Sequence, residues 1–516
     1  MHETNSRMLK HKVSSMGRIC LKIIDILFMI LILAILFSTL LLDKNINNPF
    51  PNVVKYSNGG YYYFAFLLFC AIAFILVKIN KKDMKTKTFY IVVGTVAFVT
   101  LIAQTIVAFW APDVYYEWTD FGCVQDMAIK LSQGGYVWED YFAEFHHNVP
   151  IVIIFSWIYG IADSWSLVIW AGAILTNLAT VLSALTIYQI SKNKRISIVV
   201  LVIAECLVGM SWRSYIAYTD SWGMLFTIAT LWIFTLNIKI QYKGPLIVVF
   251  GLVGAWIRMT VLIPLIGIGI YVLLKALVDE EFKIKKDAVI SLVLCIVLAV
   301  GGIGLSKFLL NQYGYERSQS ARGLQYLLMM GQDESGLGTV GGGQYKTIYA
   351  DLCDTYHERS ERMDACVKVA LDWIKERGIW RNIRFYLKKV NVAYNDGYFD
   401  HVEPYDKSTA DRNLIYDLYV SDGRYYLLRA DIMQVFWDFV LLLISADIIV
   451  YIFGKKSREG VYSIFKLTFV GITLYLMLFE DRSKYLFVFL PVYVAYAGLM
   501  LNELLIGIGQ INAKSR

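Results

Sequence analysis

The stretch Trp118–Pro150, WTDFGCVQDMAIKLSQGGYVWEDYFAEFHHNVP, sets Asp120, Asp126, Glu139, Asp140, Glu144, His146 and His147 among aromatic residues and between apolar runs. A carboxylate in such a setting is the type of group that takes a proton from an attacking hydroxyl. At helical spacing Asp120, Val124 and Ala128 share one face, so the Asp120 carboxylate projects from a helix lying along a membrane surface. The same residue also suits a helix cap, because Asp is a favoured N-cap and Thr119 precedes it. Asp220, after Tyr218-Thr219 at the mouth of an apolar run, has the same two readings. Cations stand at Arg258, Arg482 and Lys484, the last two beside Glu480 and Asp481. Arg258 equally suits an interfacial anchor, and the 480–484 run a solvated charged turn. Asp126 and Glu144 are secondary carboxylates. His146 and His147 invite a metal, yet adjacent side chains diverge and no HExxH-like spacing accompanies them, so a divalent cation stays open as a cofactor without a ligand set.

The elements that position these residues are set by hydropathy. The chain is 57% hydrophobic and 18% charged, with its apolar residues in long runs, which identifies an all-α polytopic membrane protein. The net charge of +7 is dispersed as short basic patches between those runs. Such patches are topological anchors facing lipid headgroups and exclude nucleic acid as a partner. Seven cysteines without a CxxC pair exclude a zinc motif or a disulfide framework, and Cys353 and Cys366, in one polar segment, either pair or stay as thiols. The first apolar run, about 19–42, is too long for a signal peptide and lacks a small-residue cleavage site, so it is a retained span.

Runs long enough to cross roughly 30 Å of hydrocarbon fall near 19–42, 60–78, 88–110, 165–190, 196–212, 221–240, 245–257, 259–277, 288–308, 432–453, 461–479 and 485–506, about twelve crossings. Basic clusters mark the cytoplasmic side: Lys78, Lys81, Lys82, Lys85 and Lys87; Lys192, Lys194 and Arg195; Lys239 and Lys243; Lys275, Lys283, Lys285 and Lys286; Lys455, Lys456 and Arg458. Counting Val149–Ala162 as a crossing would invert several clusters, so that segment is a re-entrant or interfacial helix. Both termini are then cytoplasmic, and the polar segments 111–148, 213–221, Arg258, 309–430 and 480–484 meet on the outer face. The chain thus divides into a membrane region, 1–308, whose first outer loop (111–162) carries the candidate chemistry, an outer cap, 309–430, and a last group of membrane helices, 431–516. The cap is expected to hold one helical stretch from about Ile348 to Val392. The letters from Gly336 to Gly341 satisfy GxGxxG, but no strand precedes them and a dinucleotide site is not expected.

The sequence D-F-x-x-V-x-x-x-A from Asp120 to Ala128, Gly134-Gly135, Tyr141-Phe142, and His147-Asn148 leading into an apolar helix resemble the first outer loop of bacterial GT-C membrane glycosyltransferases. Tyr218-Thr219-Asp220, Arg258 with Thr260, Met329-Met330-Gly331, Asn395-Asp396-Gly397 and Glu480-Asp481-Arg482-Ser483-Lys484-Tyr485 are similar to further pieces of that family, in order. Lys484 stands where that family usually has Arg. The resemblance implies a GT-C-like enzyme of the protein-mannosyltransferase kind in a bacterial cell membrane. Its donor is a polyprenyl-phosphate sugar and its acceptor a cell-envelope glycan, glycolipid or protein on the outer face. It implies Asp120 as general base with Asp220 ranked second as a catalytic residue, and Arg258, Arg482 and Lys484 on the leaving lipid phosphate. Substrate contacts are implied for Tyr141, His147, Asn148 and Glu480, and acceptor contacts for Met329 to Asp333 and Asn395 to Asp396. A flippase for lipid-linked saccharides and a glycan polymerase or ligase are the alternatives. A transporter would place its polar residues near mid-membrane in repeated halves, whereas here they stand at span ends and no repeat is visible.

Overall fold

The computed structural model describes residues 2–41, 58–79, 84–114, 120–278, 286–336, 343–399, 413–420, 422–453 and 460–507, and among these the chain is helical with no strand. Apolar runs fold this way because lipid offers a backbone no hydrogen bonds. Helices α1 (His2–Leu41), α2 (Asn58–Ile79) and α3 (Thr86–Val114) precede the first polar excursion, which contains α4 (Asp120–Ser132), α5 (Asp140–Glu144) and α6 (Val149–Ala162). The bundle continues with α7 (Trp165–Ser191), α8 (Lys194–Val208), α9 (Thr219–Thr235), α10 (Ile240–Ile257), α11 (Leu262–Val278) and α12 (Lys286–Gln312). A helical cap follows, with α13 (Leu324–Gln332), α14 (Tyr345–Thr355), α15 (Arg359–Tyr394) and α16 (Leu414–Tyr419). Then α17 (Tyr426–Phe453), α18 (Val461–Leu478), the single turn α19 (Lys484–Phe487) and α20 (Leu490–Gly507) return to the bundle.

Ten of these helices are long and apolar enough to cross a membrane. The two remaining expected crossings are the short helices α8 and α9, of 15 and 17 residues. The expected 196–212 span stops at Val208 because Gly209 leads into a 3₁₀ turn at Trp212–Tyr215, and the expected 221–240 span ends at Thr235, where Leu236 turns extended. α6 is the expected short helix: Pro150 lies in its first turn and left-handed Asp163 (φ 49°) ends it after 14 residues. It packs on α4 and α7. The helix expected over 348–392 is instead two, α14 and α15, and α15 itself bends at Gly378, whose φ of 63° breaks the helical backbone. The GxGxxG letters lie largely outside the described residues. All seven cysteines are free thiols, Cys353 and Cys366 included.

At one end of the bundle Lys194 Nζ donates to the Met84 carbonyl (2.8 Å), Asn193 Nδ2 to Asn502 Oδ1 (3.3 Å) and Lys243 Nζ to the Phe234 carbonyl (3.1 Å). The 84–85 and 192–195 clusters therefore share an end with the C-terminal part of α20; Lys81, Lys82, Lys283, Lys285, Lys455, Lys456 and Arg458 lie outside the described residues. The first polar excursion and the cap occupy the other end. α20 is buried nearly all round, with Gly498 against α8, where an added Cβ would stand 2.2 Å from Val200 Cγ2. By contrast α12 packs on α10 and exposes Leu292, Val293, Val297, Val300, Ile303 and Leu305, the surface of a lipid-facing helix.

One buried charge cluster ties the bundle together. Lys466 on α18 donates to Asp25 Oδ1 on α1 (2.9 Å) and lies 2.8 Å from Asp447 Oδ2 on α17. Lys466 and Asp447 are almost fully buried, so removing the ammonium would take away the cation that both carboxylates share. Lys466→Leu is expected to lower unfolding stability in detergent by about 3–5 kcal/mol, read as a fall in melting temperature. The paired change Lys466→Met with Asp447→Asn should recover much of it, and a single variant that melts like wild type would refute the clasp.

Candidate functional site

Asp120 is the first residue of α4, where the helix dipole favours a carboxylate. Trp118, Thr119, Tyr115 and Tyr116 lie outside the described residues. The Asp120 carboxylate accepts a hydrogen bond from the Tyr141 hydroxyl and feels the charges of Lys484, Glu480 and Arg482. It keeps accessible surface while protein packs closely round its carboxylate. Burial raises its pKa above the usual carboxylate value; Glu480 adds to the rise, while Lys484, the Tyr141 hydrogen bond and Arg482 oppose it.

Tyr141 is aimed by Asn148, which is buried at the start of α6. Asn148 Nδ2 donates to the hydroxyls of Tyr141 (2.8 Å) and Tyr218 (2.9 Å). The Tyr218 ring meets Phe121 edge-on at 4.6 Å, so the loop before α9, the start of α4 and the start of α6 are fixed to one another. The tyrosines thus act through their hydroxyls, and Asn148 acts through them.

Arg258 closes α10 and turns inward. Its Nη1 lies 2.9 Å from Asp220 Oδ1 and donates to Thr219 Oγ1 (2.8 Å), while Nε donates to Thr260 Oγ1 (3.1 Å). With side-chain exposures of 11% and 5%, Arg258 and Asp220 form an enclosed ion pair rather than a lipid-facing anchor and a free carboxylate. The Arg258 guanidinium lies 5.7 Å from the Tyr485 ring centre. His147 faces the same space: it keeps exposed surface, and close packing round its ring, then His146 and Arg258, lower its pKa, which favours the neutral imidazole near pH 7.

The turn between α18 and α19 brings the remaining candidates. Glu480 accepts a hydrogen bond from the Tyr485 hydroxyl and lies 3.8 Å from Arg482 Nε, and the Lys484 ammonium is 5.4 Å from the Tyr485 ring centre. This turn is held from the cap. Lys389 Nζ, fully buried on α15, donates to the carbonyls of Gly331 (2.8 Å) and Phe479 (2.5 Å). Gln332 Nε2 donates to the Leu478 carbonyl (2.9 Å), and Arg377 and Tyr386 fix Gln332 in turn. Gly331 approaches so closely that an added Cβ would stand 2.3 Å from the Phe479 carbonyl carbon. Ser483 Oγ donates to Asp396 Oδ2 (2.5 Å). The motifs expected to touch acceptor, 329–333 and 395–396, therefore also grip the 478–483 backbone, while Asp333 accepts from the Tyr345 amide at the start of α14. Glu144 is paired with Arg322, whose Nη2 lies 2.5 Å from its Oε2 and whose amide donates to its carbonyl (2.9 Å).

The structure thus gathers Asp120, Tyr141, Glu480, Arg482 and Lys484 into one group. Arg258, Asp220 and His147 form a second, joined to it through Tyr218, which feels both Asp120 and Asp220, and through Tyr485. Among the described residues no group of three or more His, Cys, Asp or Glu side chains could hold a metal ion. Two site residues escape a reading of spacing, Lys389 and Asp481. Lys389 follows Lys388 in a charged helical run, where a solvated lysine is the ordinary expectation. Asp481 lies in a run that reads as a solvated turn, yet both its carboxylate oxygens are buried without a hydrogen-bond partner. Burial pushes the Asp481 carboxyl up to about 8 against the pull of Lys389.

Asp481 is thus protonated in the folded protein up to about pH 8, whereas an unfolded aspartate ionises near 4. Its burial costs little near pH 4 and progressively more up to pH 8. Asp481→Asn is expected to be more stable than wild type, with an advantage that grows between pH 5 and pH 8 by on the order of 1 kcal/mol per pH unit. Melting curves at the two pH values test this, and a constant gap would refute it.

A family model described as a conserved hypothetical integral membrane protein matches residues 16–505. No curated protein and no solved structure matches the chain.

Proposed function

We propose that this chain, which belongs to the conserved hypothetical integral membrane protein family, is a glycosyltransferase that moves a sugar from a polyprenyl-phosphate donor to a hydroxyl of a cell-envelope acceptor. The observation that carries the reading is the convergence of Asp120, Tyr141, Glu480, Arg482 and Lys484, far apart in sequence, at the bundle end opposite the basic clusters. Under the positive-inside rule the basic end is cytoplasmic, which supports a site on the outer face of a bacterial cell membrane.

In this reaction the acceptor oxygen forms a bond to the anomeric carbon while the bond from that carbon to the phosphate oxygen breaks. The acceptor proton passes to Asp120, and the electron pair leaves with the lipid phosphate. A carboxylate with a raised pKa is the stronger base for that step. Negative charge gathering on the phosphate is met by Arg482, Lys484 and Arg258, the last oriented by Asp220 and Thr219. Tyr141, set by Asn148, aligns the Asp120 carboxylate, and the neutral His147 offers a hydrogen bond to the sugar.

The test is transfer of radiolabelled sugar from a panel of polyprenyl-phosphate sugars by the protein purified into lipid. Asp120→Asn is expected to lower turnover by about 10²- to 10⁴-fold while leaving the protein folded. Wild-type kcat/KM should fall tenfold per pH unit once the pH drops below the raised Asp120 pKa, because only the carboxylate accepts the proton. Arg258→Ala should raise the KM for donor. Transfer that survives Asp120→Asn would remove the base assignment. Absence of transfer with any donor, together with leaflet-to-leaflet movement of lipid-linked sugar in both proteins, would replace the reading with a flippase.

A further inference from the structure

We propose that Arg317, Arg359 and Arg362, gathered beside His146 where the cap meets the first polar excursion, form a binding site for the phosphate or carboxylate group of a ligand. The segment 317–323 runs between the start of α15 and the 144–146 turn, and two arginines of α15 hold it. Arg359 Nε donates to the Ala321 carbonyl (2.6 Å), and Arg362 donates through Nη2 to the Gln319 carbonyl (2.6 Å) and through Nη1 to the Tyr356 carbonyl (3.1 Å). These partners are neutral. Among the described residues none of the three guanidinium groups pairs with a carboxylate, so the three positive charges stand together uncompensated.

Neighbouring Arg322 shows the contrast. Its charge is matched by Glu144 at 2.5 Å, and its guanidinium is flanked by Phe145 (4.7 Å), Tyr326 (4.6 Å) and Tyr349 (5.3 Å). That aromatic packing fixes the backbone on which Arg317 stands. Two polar atoms facing the region are buried without a partner, His146 Nδ1 and Arg362 Nε. His146 feels Arg317 and Arg359 and no carboxylate, and after burial their charges help to lower its pKa to about 4. Arg359 is pulled below its ordinary value by burial and then by Arg317. Arg362, buried, and Arg359, half-buried, are held by carbonyls, while Arg317 is exposed beside them, an arrangement suited to charge-assisted contact with an oxyanion.

The site lies next to His147, which faces Arg258, yet its cations are distinct from the group around Asp120. In the transferase reading the donor phosphate is met by Arg258, Arg482 and Lys484, so the additional anion belongs to the acceptor. The binding site itself rests on geometry independent of turnover.

The experiment is calorimetric titration of inorganic phosphate into the full chain in phosphatidylcholine nanodiscs. Saturable binding is expected in wild type, in Arg258→Ala and in Arg317→Lys. Arg317→Gln, an exposed position whose replacement leaves the fold intact, is expected to weaken it about tenfold, the cost of one charge-assisted contact. Arg359→Gln should act alike, and selective labelling should show the His146 imidazole pKa rising when phosphate binds. Discs containing phosphatidylglycerol separate the sources: competition with phosphate assigns the group to a lipid headgroup and its absence to a water-borne ligand, and either supports the site. Binding that is unchanged in Arg317→Gln and Arg359→Gln, lost in Arg258→Ala alone, or absent from wild type would overturn it. Failure of sugar transfer would leave this result untouched.

Discussion

The backbone between α18 and α19 leaves helical geometry at the boundary of the membrane bundle, where its carbonyls must find donors inside the protein. Lys389 answers the Phe479 carbonyl and Gln332 the Leu478 carbonyl, while Asp396 takes the Ser483 hydroxyl. All three partners come from the cap. The demand for hydrogen bonds by one short turn therefore dictates where α13 and the C-terminal half of α15 sit, and with them the rest of the cap. Glu480, Arg482 and Lys484 are displayed on a backbone that has no freedom to follow them into solvent.

Charge is concentrated here in a way that an isolated loop would not tolerate. Asp220 offsets Arg258 directly and Glu144 offsets Arg322, whereas Asp481 avoids its burial cost by keeping its proton. Asp120 is intermediate, desolvated yet still reachable. This gradation, from paired to protonated to accessible, separates groups that shape the site from the one best placed to exchange a proton.

Hydropathy made the membrane class and the short α6 legible, because each follows from how apolar length meets a bilayer. Helix length near the site was less legible. α8 and α9 are as apolar as their neighbours, and only Gly209 and the break at Leu236 hint that they stop early. Asp120, Arg258 and the 480–484 run could be singled out by type, but spacing did not distinguish an anchor from an ion pair. That distinction depends on Asp220 and Thr219 lying across from Arg258, a tertiary fact. Lys389 and Asp481 were hidden for the same reason, since a single charged letter in a polar run says nothing of the carbonyls or the void it will meet.

The clasp between Asp25 and Lys466 joins residues 441 positions apart. At translation rates of roughly 5–20 residues per second, Asp25 leaves the ribosome on the order of 20–90 s before its partner exists. During that interval α1 resides in the bilayer with a carboxylate whose buried partner on α18 has not yet been made. Synthesis of α18 then supplies the missing charge. The clasp is thereby also a checkpoint on biogenesis: a chain truncated before α18 retains a helix with an unmatched polar group, the feature by which membrane quality control can recognise an unfinished product.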